Sequence, residues 1–184
     1  MMARTLGLAL SALVLSTARG EGLTDEPLTA GAHQLLTGDA TAWTAASAAA
    51  GTSVPATVPG DLITDLERAQ KISDPLYERN FKSVLWDASN WTYATQFATA
   101  PDILGIAATS GTAYLVLDSV KMGAWVIFNG KLLGTVADQF LRYRFDVTVM
   151  LKTAEKNDLQ LVFPPSNHSL NDEARWMACS GKDP

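Results

Sequence analysis

Apolar and polar residues alternate along much of the second half of the chain, which predicts β-strands that bury one face. The alternation is clearest from Trp91 onward. We expect strands at 91–97, 113–117, 124–128, 131–134, 142–147 and 159–163. Asn129-Gly130 lies between two of these runs and predicts a hairpin, because both residues tolerate the positive φ of a type I′ turn.

One segment of the first half has helical spacing instead. Its apolar positions fall on one helix face: Leu62, Ile63, Leu66 and Ala69. Asp61 is placed to cap the start, so we expect one short helix near residues 61–70. The Ala-, Thr-, Ser- and Pro-rich stretch 38–60 predicts an edge strand around Trp43 joined to a long loop. Short strands separated by turn signals predict an all-β sandwich.

The first 18 residues have the pattern of a secretory signal peptide. A short region with Arg4 precedes an apolar run, and the small residues Ser16 and Ala18 fit cleavage after Ala18. The run has about half the length that a membrane-spanning helix needs, so we expect no membrane anchor. We expect entry into the secretory pathway, with a lysosomal or extracellular destination.

Two glycosylation sequons agree with that route, at Asn90 and Asn167. Residues 19–34 would then form a lead-in, and 35–184 the folded domain. The lone Cys179 is unusual for a secreted protein and is either a buried thiol or paired outside this chain.

Composition and charge exclude several classes of function. The 184 residues carry a net charge of -5 and no basic run, so we expect no nucleic-acid partner. One cysteine and two histidines leave too few ligands for most metal chemistry, and we expect neither metal nor cofactor.

Nucleophilic and acid/base catalysis also lack support. Acid/base catalysis by carboxylates needs two of them converging on one bond, whereas the glutamates occupy polar or loop contexts typical of solvated surface. A Ser-His-Asp site would have to use His33 or His168, and no Gly-x-Ser-x-Gly motif is present. Arg142 and Arg144 are expected to pair with Asp138 or Asp146 and hold the sheet together; these residues lie close together in the sequence.

Exposed tryptophans are the other candidates, because sugar rings stack on aromatic side chains. Strand alternation assigns Trp91 and Trp125 to the core. Trp86 and Trp176 lie in loop-like contexts, so either role stays open for them. The residues alone therefore indicate a secreted β-sandwich without a visible active site.

Several sequence blocks resemble the N-terminal domain of glycoside hydrolase family 2 β-mannosidases. They are Val58-Pro-Gly-Asp-Leu-Ile-Thr-Asp-Leu66, Ser73-Asp-Pro-Leu-Tyr-Glu-Arg-Asn80, Asn90-Trp-Thr-Tyr93 after Trp86, Phe128-Asn-Gly-Lys-Leu-Leu-Gly134 and Phe140-Leu-Arg-Tyr-Arg-Phe-Asp-Val-Thr148. Their order and spacing match the family from about Leu35 to the end of the chain. The resemblance implies a galactose-binding-like jelly roll.

In that family the catalytic glutamates lie on a TIM barrel further along the chain, and they have no counterpart here. The resemblance therefore implies a non-catalytic domain, inactive alone, that packs on the barrel and supports a pocket for β-mannosides. The intact enzyme hydrolyses terminal β-D-mannose residues with retention. A Gly-Trp-Asp-Trp-x-Pro loop of the domain contacts the sugar.

This sequence approaches that loop at Trp176 and then departs from it, ending Gly181-Lys-Asp-Pro184. Asp183 and Trp176 are the implied sugar-contacting residues, and the domain is expected to be incomplete at its C-terminus. Two alternatives stay open at this point: a free-standing secreted carbohydrate-binding module, and a truncated gene product without function.

Overall fold

The computed structural model describes residues 9–18, 32–37, 42–78, 80, 89–109, 111–121 and 123–165. The strands are β1 (Ala9–Ala18), β2 (His33–Leu35), β3 (Trp43–Ser47), β4 (Thr52–Ala56), β5 (Gly60–Asp61), β6 (Trp91–Phe97), β7 (Thr112–Val120), β8 (Ala124–Phe128), β9 (Lys131–Val136), β10 (Arg142–Asp146) and β11 (Asn157–Phe163). The helices are α1 (Leu62–Arg68) and α2 (Pro101–Ala108), with a 3₁₀ turn at Thr148–Met150.

The strands form two antiparallel sheets. One has the order β10-β7-β1-β2, with β5 also paired to β1, and the other has the order β4-β3-β6-β11-β8-β9. The predicted all-β sandwich is therefore confirmed. β1 falls inside the predicted signal peptide, whose removal stays a prediction.

The core is built from the inward faces of the strands. On β6 the residues Trp91, Tyr93 and Phe97 are buried, and the Tyr93 and Phe163 rings meet edge to face with centroids 5.6 Å apart. The core prediction for Trp91 is confirmed. The corresponding prediction for Trp125 is wrong: on β8 it alternates with the buried residues Ala124 and Val126, so it points to the opposite face.

The predicted helix is confirmed as α1. Asp61 caps it by accepting a hydrogen bond from the Thr64 backbone N–H at 3.0 Å, and Leu62 and Leu66 are buried. The chain enters α1 through Gly60, where a Cβ atom would lie 2.4 Å from the Thr57 carbonyl oxygen. Only glycine allows this close approach of backbone to backbone.

A second short helix, α2, was not expected. It begins with Pro101 in its first turn, a position where the missing N–H costs no hydrogen bond. Its pattern is weak because Ile103 alone is fully buried, and Gly105 interrupts the helix formers. The expectation of one helix is therefore corrected to two α-helices within the described ranges.

The expectation of an edge strand around Trp43 followed by a long loop is also wrong. β3 lies between β4 and β6, so β4 forms the edge, and β4 occupies part of the expected loop. The Trp43 side chain is buried and donates a hydrogen bond from Nε1 to the Leu36 carbonyl at 2.9 Å. The period-two signal was faint because the small residues Ala45 and Ser47 follow Trp43 on the buried face of β3.

The predicted hairpin is confirmed between β8 and β9. Asn129 and Gly130 have φ values of 48° and 77°, as a type I′ turn requires.

Candidate functional site

Most of the predicted site residues lie outside the described part of the chain. Asp183, Trp176 and Asn167 fall in the segment 166–184, and Trp86 falls in 81–88. Their roles in sugar contact and glycosylation stay predictions. Asn90 is described: it is exposed and directly precedes β6, at the rim of the six-stranded sheet.

A buried carboxylate, Asp65, lies on α1, and no sequence motif predicted its burial. The Asp65 side chain is only 1% exposed. Its two oxygens accept hydrogen bonds from the Thr57 backbone N–H at 3.2 and 3.1 Å. Arg68 Nη1 donates to Asp65 Oδ1 at 3.0 Å and to Thr57 Oγ1 at 2.7 Å, and the Tyr93 hydroxyl donates to Oδ2 at 3.4 Å.

Burial dominates the electrostatics of this cluster. Desolvation raises the pKa of Asp65 above its ordinary value, although the Thr57 hydrogen bonds and the Arg68 charge oppose the shift. Burial, followed by the nearby Asp65 charge, also raises the pKa of Tyr93. Arg68 is 60% exposed and leaves part of its charge in water.

This cluster can stabilise the fold, but it is unsuited to hydrolysis. The Asp65 oxygens are occupied by backbone and side-chain donors, and so little of the side chain is exposed that a sugar cannot reach it. The neighbouring carboxylate, Asp61, is engaged in capping α1 through the Thr64 N–H and hydroxyl. Asp65 therefore links the segment that follows β4, helix α1 and strand β6, which is a structural role.

A second buried polar network lies at the start of β11. Asn157 is fully buried; its Nδ2 donates to Thr99 Oγ1 at 2.9 Å, and its Oδ1 accepts from Asn129 Nδ2 at 2.8 Å. Asn129 Nδ2 also donates to the Met150 carbonyl, and its Oδ1 accepts from the Asp158 N–H. Asn129 therefore both forms the hairpin turn and joins it to β11.

The ion-pair prediction for Arg142 is wrong in its partner. Arg142 Nε and Nη2 contact the two Asp118 oxygens at 2.6 and 3.0 Å, across the register of β10 and β7. Asp138 and Asp146 instead accept hydrogen bonds from backbone N–H groups two residues on, at Phe140 and Thr148. Asp138 and Asp146 were predicted as partners because they lie close to Arg142 in the sequence. The pairing of β10 with β7 instead places Asp118 directly opposite Arg142.

No group of three or more potential metal ligands occurs among the described residues. Glu67, Glu78 and Glu155 are exposed, as expected of a solvated surface. Within the same ranges, no helix is long and apolar enough to cross a membrane.

Among the described residues, large apolar side chains are exposed singly at Leu35, Leu132 and Val149, and as adjacent pairs in two segments that carry the family resemblance. Phe140 is 86% exposed in the turn between β9 and β10, with Leu141 beside it. Leu76 is 88% exposed after α1, with Tyr77 also exposed. We call these four residues the apolar surface set. Contiguous exposed apolar surface can mark an interaction site, whereas single exposed apolar residues are ordinary on a protein surface.

The turn that presents Phe140 is ordered by defined contacts. The Tyr143 hydroxyl accepts hydrogen bonds from the backbone N–H groups of Ala137 and Asp138 at 3.1 and 2.8 Å. Ser119 Oγ donates to the Gln139 carbonyl at 2.9 Å. Phe140 is therefore held outward by the structure around it.

Sequence comparison identifies similar proteins. Over 122 residues the chain is 32% identical to rat "Beta-mannosidase", a match that covers 66% of this chain. Over 111 residues it is 34% identical to "Beta-mannosidase A" of Aspergillus aculeatus, covering 60% of this chain. These matches cover only 13% and 11% of the respective relatives.

Structural comparison agrees on the fold. The chain superposes on the β-D-mannosidase of Dictyoglomus thermophilum with a TM-score of 0.64 and 23% identity, covering 76% of this chain and 16% of that one. Residues 43–179 match the family described as "Glycosyl hydrolase 2 galactose-binding domain-like". That range contains both sides of the core, from β3 to β11, and the chain therefore belongs to the galactose-binding-like domain family of glycosyl hydrolase 2.

Proposed function

We propose that this chain is the non-catalytic N-terminal domain of a β-mannosidase-like glycoside hydrolase. The observation that carries the proposal is the family match over 43–179 combined with β-mannosidase relatives of which the chain spans about one eighth. The whole enzyme would hydrolyse terminal β-D-mannose residues of oligosaccharides and glycoproteins with retention. This chain would support the substrate pocket and pack on the catalytic barrel.

The described residues support the non-catalytic part of the proposal. Retaining hydrolysis uses two carboxyl groups about 5 Å apart that face the same bond. The Asp65 carboxylate is buried and accepts hydrogen bonds from protein donors, and Asp61 caps α1. The two acids of this cluster are thus committed to the fold and are unavailable as a catalytic pair.

The apolar surface set supports the packing part. Phe140, Leu141, Leu76 and Tyr77 are exposed, and they belong to sequence blocks that resemble the β-mannosidase domain. Burial of the core does not require them, whereas contact with a second domain would remove their apolar surface from water. We propose that they contact the catalytic barrel.

The proposal also covers the residues that contact the sugar, the cellular destination of the protein and its glycosylation. Asp183 and Trp176 would reach the sugar at the edge of the pocket. Residues 1–18 would direct the chain into the secretory pathway, towards the lysosome or the extracellular space. Asn90 and Asn167 would carry glycans, and the exposure of Asn90 supports access by the glycosylation machinery.

The first test is the release of p-nitrophenol from p-nitrophenyl β-D-mannopyranoside by the purified 184-residue chain. We expect no release above the buffer rate. Release that copurifies with the chain and persists after repeated chromatography would contradict a non-catalytic domain.

A titration with mannan, followed by tryptophan fluorescence, separates this proposal from a free-standing carbohydrate-binding module. A domain that only completes a pocket should show no saturable change at millimolar sugar. Saturable quenching that Trp176→Ala abolishes, and that Trp43→Phe leaves in place, would favour the binding module instead. Trp43 is the matched control because it is buried in the core.

A further inference from the structure

Residues 9–18 of the predicted signal peptide lie in the middle of a sheet. β1 pairs with β7 in antiparallel register from Leu10↔Val120 to Ala18↔Thr112. On its other side β1 pairs with β2, from Val14↔Leu35 to Ser16↔His33, and with β5 at Ala9↔Asp61. β1 is therefore an interior strand, paired along most of its length with β7 and over residues 9–10 and 14–16 on its other side.

The rest of this sheet depends on β1 for its connection. Among the described residues, β2 and β5 pair only with β1. Without β1, the one strand still paired with β7 in these ranges would be β10. β7 also lies deep in the protein, with Leu115 and Leu117 fully buried. The backbone of helix α2 lies close to both β7 and β1.

Removal of β1 would therefore expose the backbone of a buried strand. The β7 edge would present unpaired N–H and C=O groups, which proteins leave unsatisfied only at a cost. The gap between β7 and β2 would have the width of one extended strand that runs antiparallel to both.

We propose that Ala9–Ala18 is an integral strand of the sandwich, so that cleavage after Ala18 removes the strand that holds β7, β2 and β5 in one sheet. A signal peptidase would hydrolyse the Ala18–Arg19 peptide bond with one water molecule. A chain that has been cleaved after Ala18 would then be unable to fold as an isolated domain. A cleaved chain needs an extended strand from elsewhere to complete the sheet.

The cleavage step rests on the proposed secretory function, whereas the strand itself rests on the backbone pairing. Hydrogen exchange on the unmodified full chain tests the strand. We expect the amides of 9–18 and 112–120 to exchange at least about 100-fold more slowly than unstructured peptide, as paired interior strands do. Free exchange of 9–18 together with slow exchange of 112–120 would overturn the proposal.

Two substitutions in the full chain sharpen the test. Leu13 lies opposite Leu117 in the ladder, and Leu13→Pro removes an N–H from an interior strand. We expect Leu13→Pro to speed exchange of 112–120 while Leu13→Val leaves it slow. Amides of β6 and β11 in the other sheet report whether the remainder is still folded. Equal protection of 112–120 in both variants would count against the proposal.

The cleaved form is tested with a chain that begins at Arg19. We expect its 112–120 amides to lose protection and to regain it when a synthetic peptide of residues 9–18 is added. Protection of 112–120 equal to that of the full chain, without peptide, would overturn the proposal. N-terminal sequencing of the secreted protein tests the signal peptide separately: absence of cleavage removes the proposed route and leaves the strand in place.

Discussion

At the scale of single residues, Asp65 shows how burial changes the behaviour of a charge. Its pKa is raised above the ordinary value of 3.8, chiefly by desolvation. The folded state therefore binds the proton more tightly than the unfolded state does. The contribution of Asp65 to the free energy of unfolding must rise as the pH falls from above the folded-state pKa towards 3.8.

Asp65→Asn removes this titration while keeping an oxygen that accepts hydrogen bonds. In urea unfolding at several pH values, we expect the wild-type chain to gain stability relative to Asp65→Asn as the pH falls. Glu67→Gln, on the exposed side of the same helix, controls for the loss of a carboxylate from α1. If the free energy of unfolding of the wild-type chain relative to that of Asp65→Asn stays constant or decreases as the pH falls, the raised pKa of Asp65 is contradicted.

Asn157 is the second residue with a clear prediction. Its side chain is fully buried and bonds Thr99, Asn129 and the backbone N–H of Lys152. Asn157→Ala leaves these partners without their bonds, so we expect a loss of about 2–4 kcal/mol in the free energy of unfolding. Gln160→Ala, a partly exposed position on the same strand, should cost less than about 1 kcal/mol. Chemical denaturation that finds equal losses would contradict the network.

Sequence reasoning at this scale succeeds where a residue acts on its immediate neighbours. The Asp61 cap was predictable because its acceptor geometry involves Thr64, three positions along. Asp65, Asn157 and the Arg142 partner were not predictable from the sequence. Their contacts, such as Tyr93 with Asp65 and Arg142 with Asp118, join residues that only the completed sheets bring together.

At the scale of elements, two glycines illustrate two different effects on stability: backbone strain at one position and helix propensity at the other. Gly130 has φ of 77° in the hairpin, and nothing lies within 4 Å of the position of an added Cβ. Gly105 lies inside α2 with equally open space and no positive φ. The two sites therefore differ in conformation and not in crowding.

Alanine substitutions at these glycines should have opposite signs. We expect Gly130→Ala to destabilise by about 1 kcal/mol, because a Cβ disfavours the left-handed region. We expect Gly105→Ala to stabilise by about 0.5–1 kcal/mol through higher helix propensity. Thermal or urea unfolding of both variants measures this directly, and a shared sign would contradict the assigned conformations.

Elements were predicted well where a strong local signal was present. The hairpin followed from Asn129-Gly130 and α1 from its apolar face, and both are confirmed. β4 and α2 were missed because Ala, Thr, Gly and Pro give weak patterns in either period. Trp125 was assigned to the wrong face because β8 is apolar on both of its sides.

At the scale of the whole molecule, the sandwich class was predictable and the strand order was not. Turn signals and period-two runs indicate two sheets, but pairing of β3 with β6 or β7 with β10 depends on contacts far apart in the sequence. The resemblance supplied what periodicity could not: a galactose-binding-like domain of glycosyl hydrolase 2, which the match over 43–179 confirms.

The central proposal is that this domain serves a longer glycoside hydrolase. The most direct measurement is the sequence of the transcript across and beyond the codon for Pro184. We predict an open reading frame that continues into a barrel with two acidic residues at strand ends, which would supply the missing carboxylate pair. A stop codon directly after Pro184 would contradict the proposal, because no catalytic barrel would then belong to this product.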